Sequence, residues 1–210
     1  MLRLLYVHER IRKFPDEAEL IKYCIQKDTH AQRTLYERYF KVMLAVCLRY
    51  LKNEEDAIEV LNNAFLKVFT RLKQFKSEGS MEGWIKRIVI NSAIDYLRRN
   101  KTYRNKFILT DIFSNYSLKN DSDNIEQDEH LLDKITAEEI FELVKELPTA
   151  TRVVFNLYVI DQHTHVDISK ELRISIGTSK WHLSNARKIL KAKIIEHLNR
   201  YDKASHGTRP

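Results

Sequence analysis

Apolar residues recur at three- and four-residue steps along most of this chain, most cleanly between Asn53 and Leu72. There Ala57, Val60, Leu61, Ala64, Phe65, Val68 and Leu72 make one face of an amphipathic helix. Asn53 supplies a capping side chain, and Glu54, Glu55 and Asp56 put acids in the first turn. A second apolar stripe, Ile58, Leu66 and Phe69 with Asn62 between, runs along the same helix. Two readings of it stand: the helix is packed on both sides, or the stripe is a contact surface for another protein's helix.

After a break at Phe75 to Ser80, a narrower apolar face of Ile85, Ile88, Val89, Ala93 and Tyr96 predicts another helix. Trp84 falls into register with Ile88 and is read as core. Opposite this face Arg87, Asn91, Asp95 and Arg98 share a polar stripe, which runs into Arg98-Arg99-Asn100-Lys101. Earlier, helices are predicted from Asp16 and over about Thr29 to Leu51, the latter burying Ala31, Leu35, Tyr39, Val42 and Val46.

Periodicity fades between Thr110 and Asp133, and Ser and Asn clusters there read as linker. It returns as a helix over Thr136 to Leu147, stopped by Pro148, then a helix capped by Thr149 with Val153, Val154, Leu157 and Tyr158 inside. Thr164-His-Val-Asp167 is a capping-box pattern opening a short helix, and Ser175 caps a long basic one. Short helix, tight turn and long basic helix make a helix-turn-helix, whose second helix enters the major groove. That places Thr178, Ser179, Lys180, Trp181, His182 and Asn185 near DNA, with the cap Ser175 and Lys188 counted in the DNA-binding set, Arg187 and Lys188 nearer phosphates or the domain core, and Ile176, Leu183, Ala186, Ile189 and Leu190 facing inward.

Composition narrows the fold class. Four glycines and three prolines in 210 residues, with 31% charged residues, favour an all-α chain. The predicted architecture is two small helical domains joined by an acidic flexible linker, the second holding the helix-turn-helix. The expected boundaries are an N-terminal arm (1–15), a first domain (16–109), the linker (110–134), a second domain (135–198) and a disordered tail (199–210).

Charge points to the partner. The net +7 hides seven acids between Asp111 and Asp133 against Lys119 alone, so the rest of the chain carries +13. Such a balance suits a polyanion. The bland alternative is a merely soluble basic protein. No Ser/His/Asp order, glycine-rich phosphate loop or paired-carboxylate motif stands out, so neither catalytic residues nor cofactors are expected. His163 and His165 lack a third ligand at metal spacing. Cys24 and Cys47 sit singly in apolar helical patterns, as free thiols do in a reducing cytoplasm. No run of about 18 apolar residues predicts membrane insertion, and charge interrupts the N-terminal apolar patch too early for a secretory signal.

DAIEVLNNAFLKVF, a gap, then WIKRIVINSAIDYLRR resembles region 2 of the bacterial extracytoplasmic-function sigma factors. LPTATRVVFNLYVIDQHTHVDISKELRISIGTSKWHLSNARKIL is similar to their region 4. The resemblance covers roughly Asp16 to Arg104 and Leu147 to Lys193. It implies a protein that docks on core RNA polymerase and places two domains on the minus-10 and minus-35 promoter elements. It then stabilises the melted strand, while the polymerase supplies the chemistry.

By resemblance, Asp56, Ile58, Glu59, Asn62, Leu66 and Phe69 contact polymerase. Asn91 and Asp95 face melted minus-10 bases, Arg98, Arg99 and Lys101 sit at phosphates, and Arg87 belongs to the same DNA-binding stripe. The helix-turn-helix residues from Ser175 to Lys188 meet the duplex minus-35 element. The resemblance also implies an anti-sigma partner and a linker that passes through the RNA exit path. Trp181 stands where relatives usually carry a small residue, so their minus-35 preference is not carried over. Two rival readings stand beside it: a free-standing helix-turn-helix regulator, and an adaptor whose basic faces meet acidic proteins.

Overall fold

The computed structural model describes Phe14, residues 16–100 and residues 135–206, with side chains to residue 200. The predicted arm, the linker and Lys101 lie outside the described residues. Among those described, every regular element is helical: α1 (Glu17–Ile25), α2 (Thr29–Tyr50), α3 (Glu54–Arg71), α4 (Met81–Arg99), α5 (Ala137–Lys145), α6 (Thr149–Phe155), α7 (His165–Leu172) and α8 (Ile176–His206). The chain divides into two compact units. The first takes the described residues through Leu48 and Asn53–Ser92, and the second takes Arg49–Lys52 and the described residues from Ala93 onward.

In the first unit the helix ends follow local chemistry. Asp16 accepts from the Glu19 N–H to cap α1, and Asn53 accepts from the Glu55 N–H to cap α3. α3 ends in a 3-10 turn at Leu72–Gln74. In the loop that follows, Gly79 takes φ 101°, a backbone that side chains disfavour. Ser80 then accepts from the Gly83 N–H at 3.1 Å to start α4.

The core of this unit is built from the faces the periodicity marks: Leu35, Met43 and Cys47 of α2, Leu61, Phe65 and Val68 of α3, and Ile85 and Val89 of α4. Val42 is a correction, for it stands 46% exposed rather than buried with Val46. Burial pushes the Cys47 thiol up to about 12, and burial with the nearby Asp28 charge pushes Cys24 up to about 11. Both are free and neutral at ordinary pH.

In the second unit, Thr136 and Glu139 close a capping box at α5. Pro148 occupies the cap position of α6, so Thr149 lies buried in the first turn rather than capping. α6 runs into a π-helical turn at Asn156–Ile160. Arg152 is 1% exposed and donates to the carbonyls of Lys145 and Tyr50 at 3.0 and 3.1 Å. A buried guanidinium is tolerated only with such acceptors. α8 packs on α5, α6 and α7, and Val144, Leu147, Ala186 and Leu190 form one buried cluster. The sequence predicts a disordered tail from 199, yet α8 continues as helix through His206.

Candidate nucleic-acid and protein interfaces

Three surfaces carry the predicted site residues. On α3 the first apolar face is consumed by the core, and the second is left uncovered within its unit. Leu66 is 63% exposed and Ile58 36% exposed. Asn62 and Glu59 are exposed beside them, and Asp56 and Phe69 are half-buried. Tyr36 Oη donates to Asn62 Oδ1 at 2.8 Å, which holds the amide on that stripe. Of the two readings of the stripe, packing on both sides fails within this unit, because a packed leucine is not two-thirds exposed.

On α4 the polar stripe is present as spaced. Arg87, Asn91 and Arg99 are exposed. Asp95 and Arg98 form an ion pair at 2.5 Å, each about one-third exposed. The pair matters electrostatically, since a lone carboxylate on this stripe would repel phosphates and Arg98 offsets it. The sequence reading missed Lys67, whose Nζ donates to Ser92 Oγ at 2.9 Å and ties α3 to α4. Trp84 is only half-buried, contrary to its core reading. It stacks on Phe75 of the preceding loop at 5.5 Å between ring centroids.

The helix-turn-helix forms as predicted. Thr164 and Asp167 cap α7 reciprocally, and hydrogen bonds from Thr164 hold the Asp167 carboxyl below the usual carboxylate range. Arg173 takes the left-handed conformation at φ 58° to end α7. Ser169 Oγ donates to the Ile174 carbonyl at 2.7 Å, and the Thr178 N–H donates to Ser175 Oγ at 2.9 Å, capping α8.

This framework overturns part of the predicted base-reading set. Thr178, Ser179 and His182 are at most 1% exposed. Thr178 Oγ1 bonds Ser175 Oγ at 2.7 Å, Ser179 Oγ bonds His165 Nδ1 at 2.9 Å, and His182 Nδ1 bonds Thr151 Oγ1 at 3.0 Å. The Thr178 hydroxyl closes α8's own cap, and the Ser179 hydroxyl and His182 imidazole hold α8 to α7 and α6, so none is left to read bases. Lys180 and Lys188 are exposed, and Trp181 and Asn185 are half-buried. Ile176 corrects the opposite way: expected inward, it is 43% exposed in the first turn of α8.

The face left to solvent therefore runs through Ile176, Lys180, Ser184, Arg187 and Lys188, and Ser184 was not foreseen. His165 behind it is held below the usual imidazole range, chiefly by burial and then by the charges of Lys180 and Arg187. The shift favours the neutral ring at ordinary pH.

Among the described residues no group of three or more His, Cys, Asp or Glu is placed to hold a metal ion, and no helix is long and apolar enough to cross a membrane. These surfaces suit an elongated polyanion and a partner helix.

Comparison with known proteins gives the same order of parts. Residues 35–103 match the model of sigma-70 region 2, and residues 137–190 match sigma-70 region 4. The chain is 23% identical over 177 residues to the ECF RNA polymerase sigma-E factor of Haemophilus influenzae, covering 83% of this chain and 93% of that protein. It is 24% identical over 177 residues to the ECF RNA polymerase sigma factor SigW of Bacillus subtilis, covering 83% and 94%. Among solved structures, CnrH in complex with the cytosolic domain of CnrY aligns over 84% of this chain and 96% of that one, with 17% identity and a TM-score of 0.43. With its two sigma-70 regions matched in order over more than half its length, and full-length relatives of one kind, the chain belongs to the extracytoplasmic-function RNA polymerase sigma factors.

Proposed function

We propose that this chain docks on core RNA polymerase through α3, carries it to promoters through α8, and holds the melted minus-10 strand along α4. The observation that carries the reading is the pairing of sigma-70 region 2 with region 4. It is supported by the apolar stripe on α3, whose Leu66 and Ile58 stand exposed.

Unpaired bases offer edges to a short amide such as Asn91 and phosphates to Arg98, Arg99 and Lys101. Arg87 and Asp95 extend the same stripe. Ile58, Leu66 and Phe69 give the polymerase contact its apolar centre, and Asp56, Glu59 and Asn62 give it a polar rim. The chain's contribution is binding, and the polymerase forms the phosphodiester bond. An anti-sigma factor, as the family resemblance implies, would cover these same surfaces. The polymerase partner places the chain in the cytoplasm. A first domain over 16–109 and a second beginning at 135 are part of the proposal.

Replacing Asn91 tests the division of labour. Asn91→Ala holoenzyme is expected to bind core polymerase as tightly as wild type. It should show weaker permanganate reactivity of minus-10 thymines, which reports strand opening. Equal loss of both, or of neither, contradicts the role given to Asn91.

A further inference from the structure

Burial of Thr178, Ser179 and His182 removes two hydroxyls and an imidazole from the groove-facing set of α8. What remains on the first two turns of the exposed side is Ile176 and Lys180, four residues apart, followed by Ser184. Ile176 is an apolar side chain held 43% exposed where a helix-turn-helix presents residues to base edges. It has no polar atom with which to hydrogen-bond a base. In the major groove the one apolar group that distinguishes a base pair is the thymine 5-methyl.

We propose that Ile176 is a specificity-determining residue that packs on a thymine 5-methyl in the upstream promoter element. Lys180 lies beside it, able to donate to guanine O6 and N7. The inference rests on the reading of α8 as the helix that enters the groove. It also gives the first turn of α8 a base contact once Thr178, Ser179 and His182 are spent inside the fold. The guanidinium of Arg187, seven residues beyond Lys180 on the same side, is placed for backbone phosphate.

The test uses holoenzyme assembled from core polymerase and the full chain, and duplex DNA with a fixed downstream element and a randomised upstream one. Sequences enriched by wild type are expected to contain a thymine whose replacement by uracil, which lacks only the methyl, weakens binding about fourfold, the worth of burying one methyl-sized group. Ile176→Ala holoenzyme should bind the thymine and uracil duplexes equally, and Ile176→Leu should keep the preference. Circular dichroism of both variants should match wild type.

Wild-type indifference to uracil at every enriched thymine, or enrichment of no thymine, overturns the proposal. So does an Ile176→Ala protein that still prefers thymine. In each of those cases the sigma reading stands, because the holoenzyme forms and binds. Failure of wild type to assemble with core polymerase, read by co-purification before any DNA is added, overturns both.

Discussion

Thr178, Ser179 and His182 show how a polar side chain misleads when read by type alone. Each bears a group that suits DNA, yet each is placed inward by the helical phase that Leu183 and Ala186 fix. Ser179 lies four residues before Leu183, and His182 lies four before Ala186. That spacing was in the sequence, and weighed against side-chain chemistry it would have assigned them to the core.

The consequence is measurable. His182→Ala should lower the stability of the chain by about 1–3 kcal/mol, because it leaves a gap and strands Thr151 Oγ1. Thermal unfolding reports it. Lys180→Ala should change stability by no more than about 0.5 kcal/mol. It should weaken upstream-element binding and, if Lys180 also meets phosphate, reduce the salt slope by about one. The reverse pattern would restore His182 to the DNA face.

At the scale of elements, boundaries and caps were legible because each is local. Asn53, Thr164 and Ser175 accept the backbone N–H that the sequence pattern assigns them, whereas Thr149 does not, because Pro148 takes the cap position. Burial at the ends of elements was not legible. Trp84 and Ile176 sit in the first turns of α4 and α8 and are half-buried and exposed, while Met81 and Thr178 of the same turns are buried. The two stripes on α3 posed the reverse problem: periodicity marks both as apolar, and only packing tells which one is left over.

Leu66 therefore makes a clean probe. Leu66→Asp should leave the unfolding midpoint of the free chain within about 0.5 kcal/mol of wild type, as expected for an exposed site. It should weaken core polymerase binding at least tenfold if Leu66 lies in the desolvated centre of the contact. A destabilised chain with polymerase binding intact would show that the stripe is internal packing.

At the scale of the whole molecule, two helical units of modest size carry the two matched sigma-70 regions. On the proposed function, the excess of positive charge outside Asp111 to Asp133 would supply salt-sensitive attraction to DNA, and the α3 stripe would supply an apolar hold on polymerase. A free-standing regulator would need only the first of these. The measurement that separates the two is transcription by purified core RNA polymerase, with and without this chain, on fragmented genomic DNA, after co-purification has measured their stoichiometry. The account predicts a one-to-one complex that starts transcripts at a discrete set of sites sharing upstream and downstream elements. Folded chain that neither binds core polymerase nor directs initiation, yet binds specific duplex DNA alone, would contradict it.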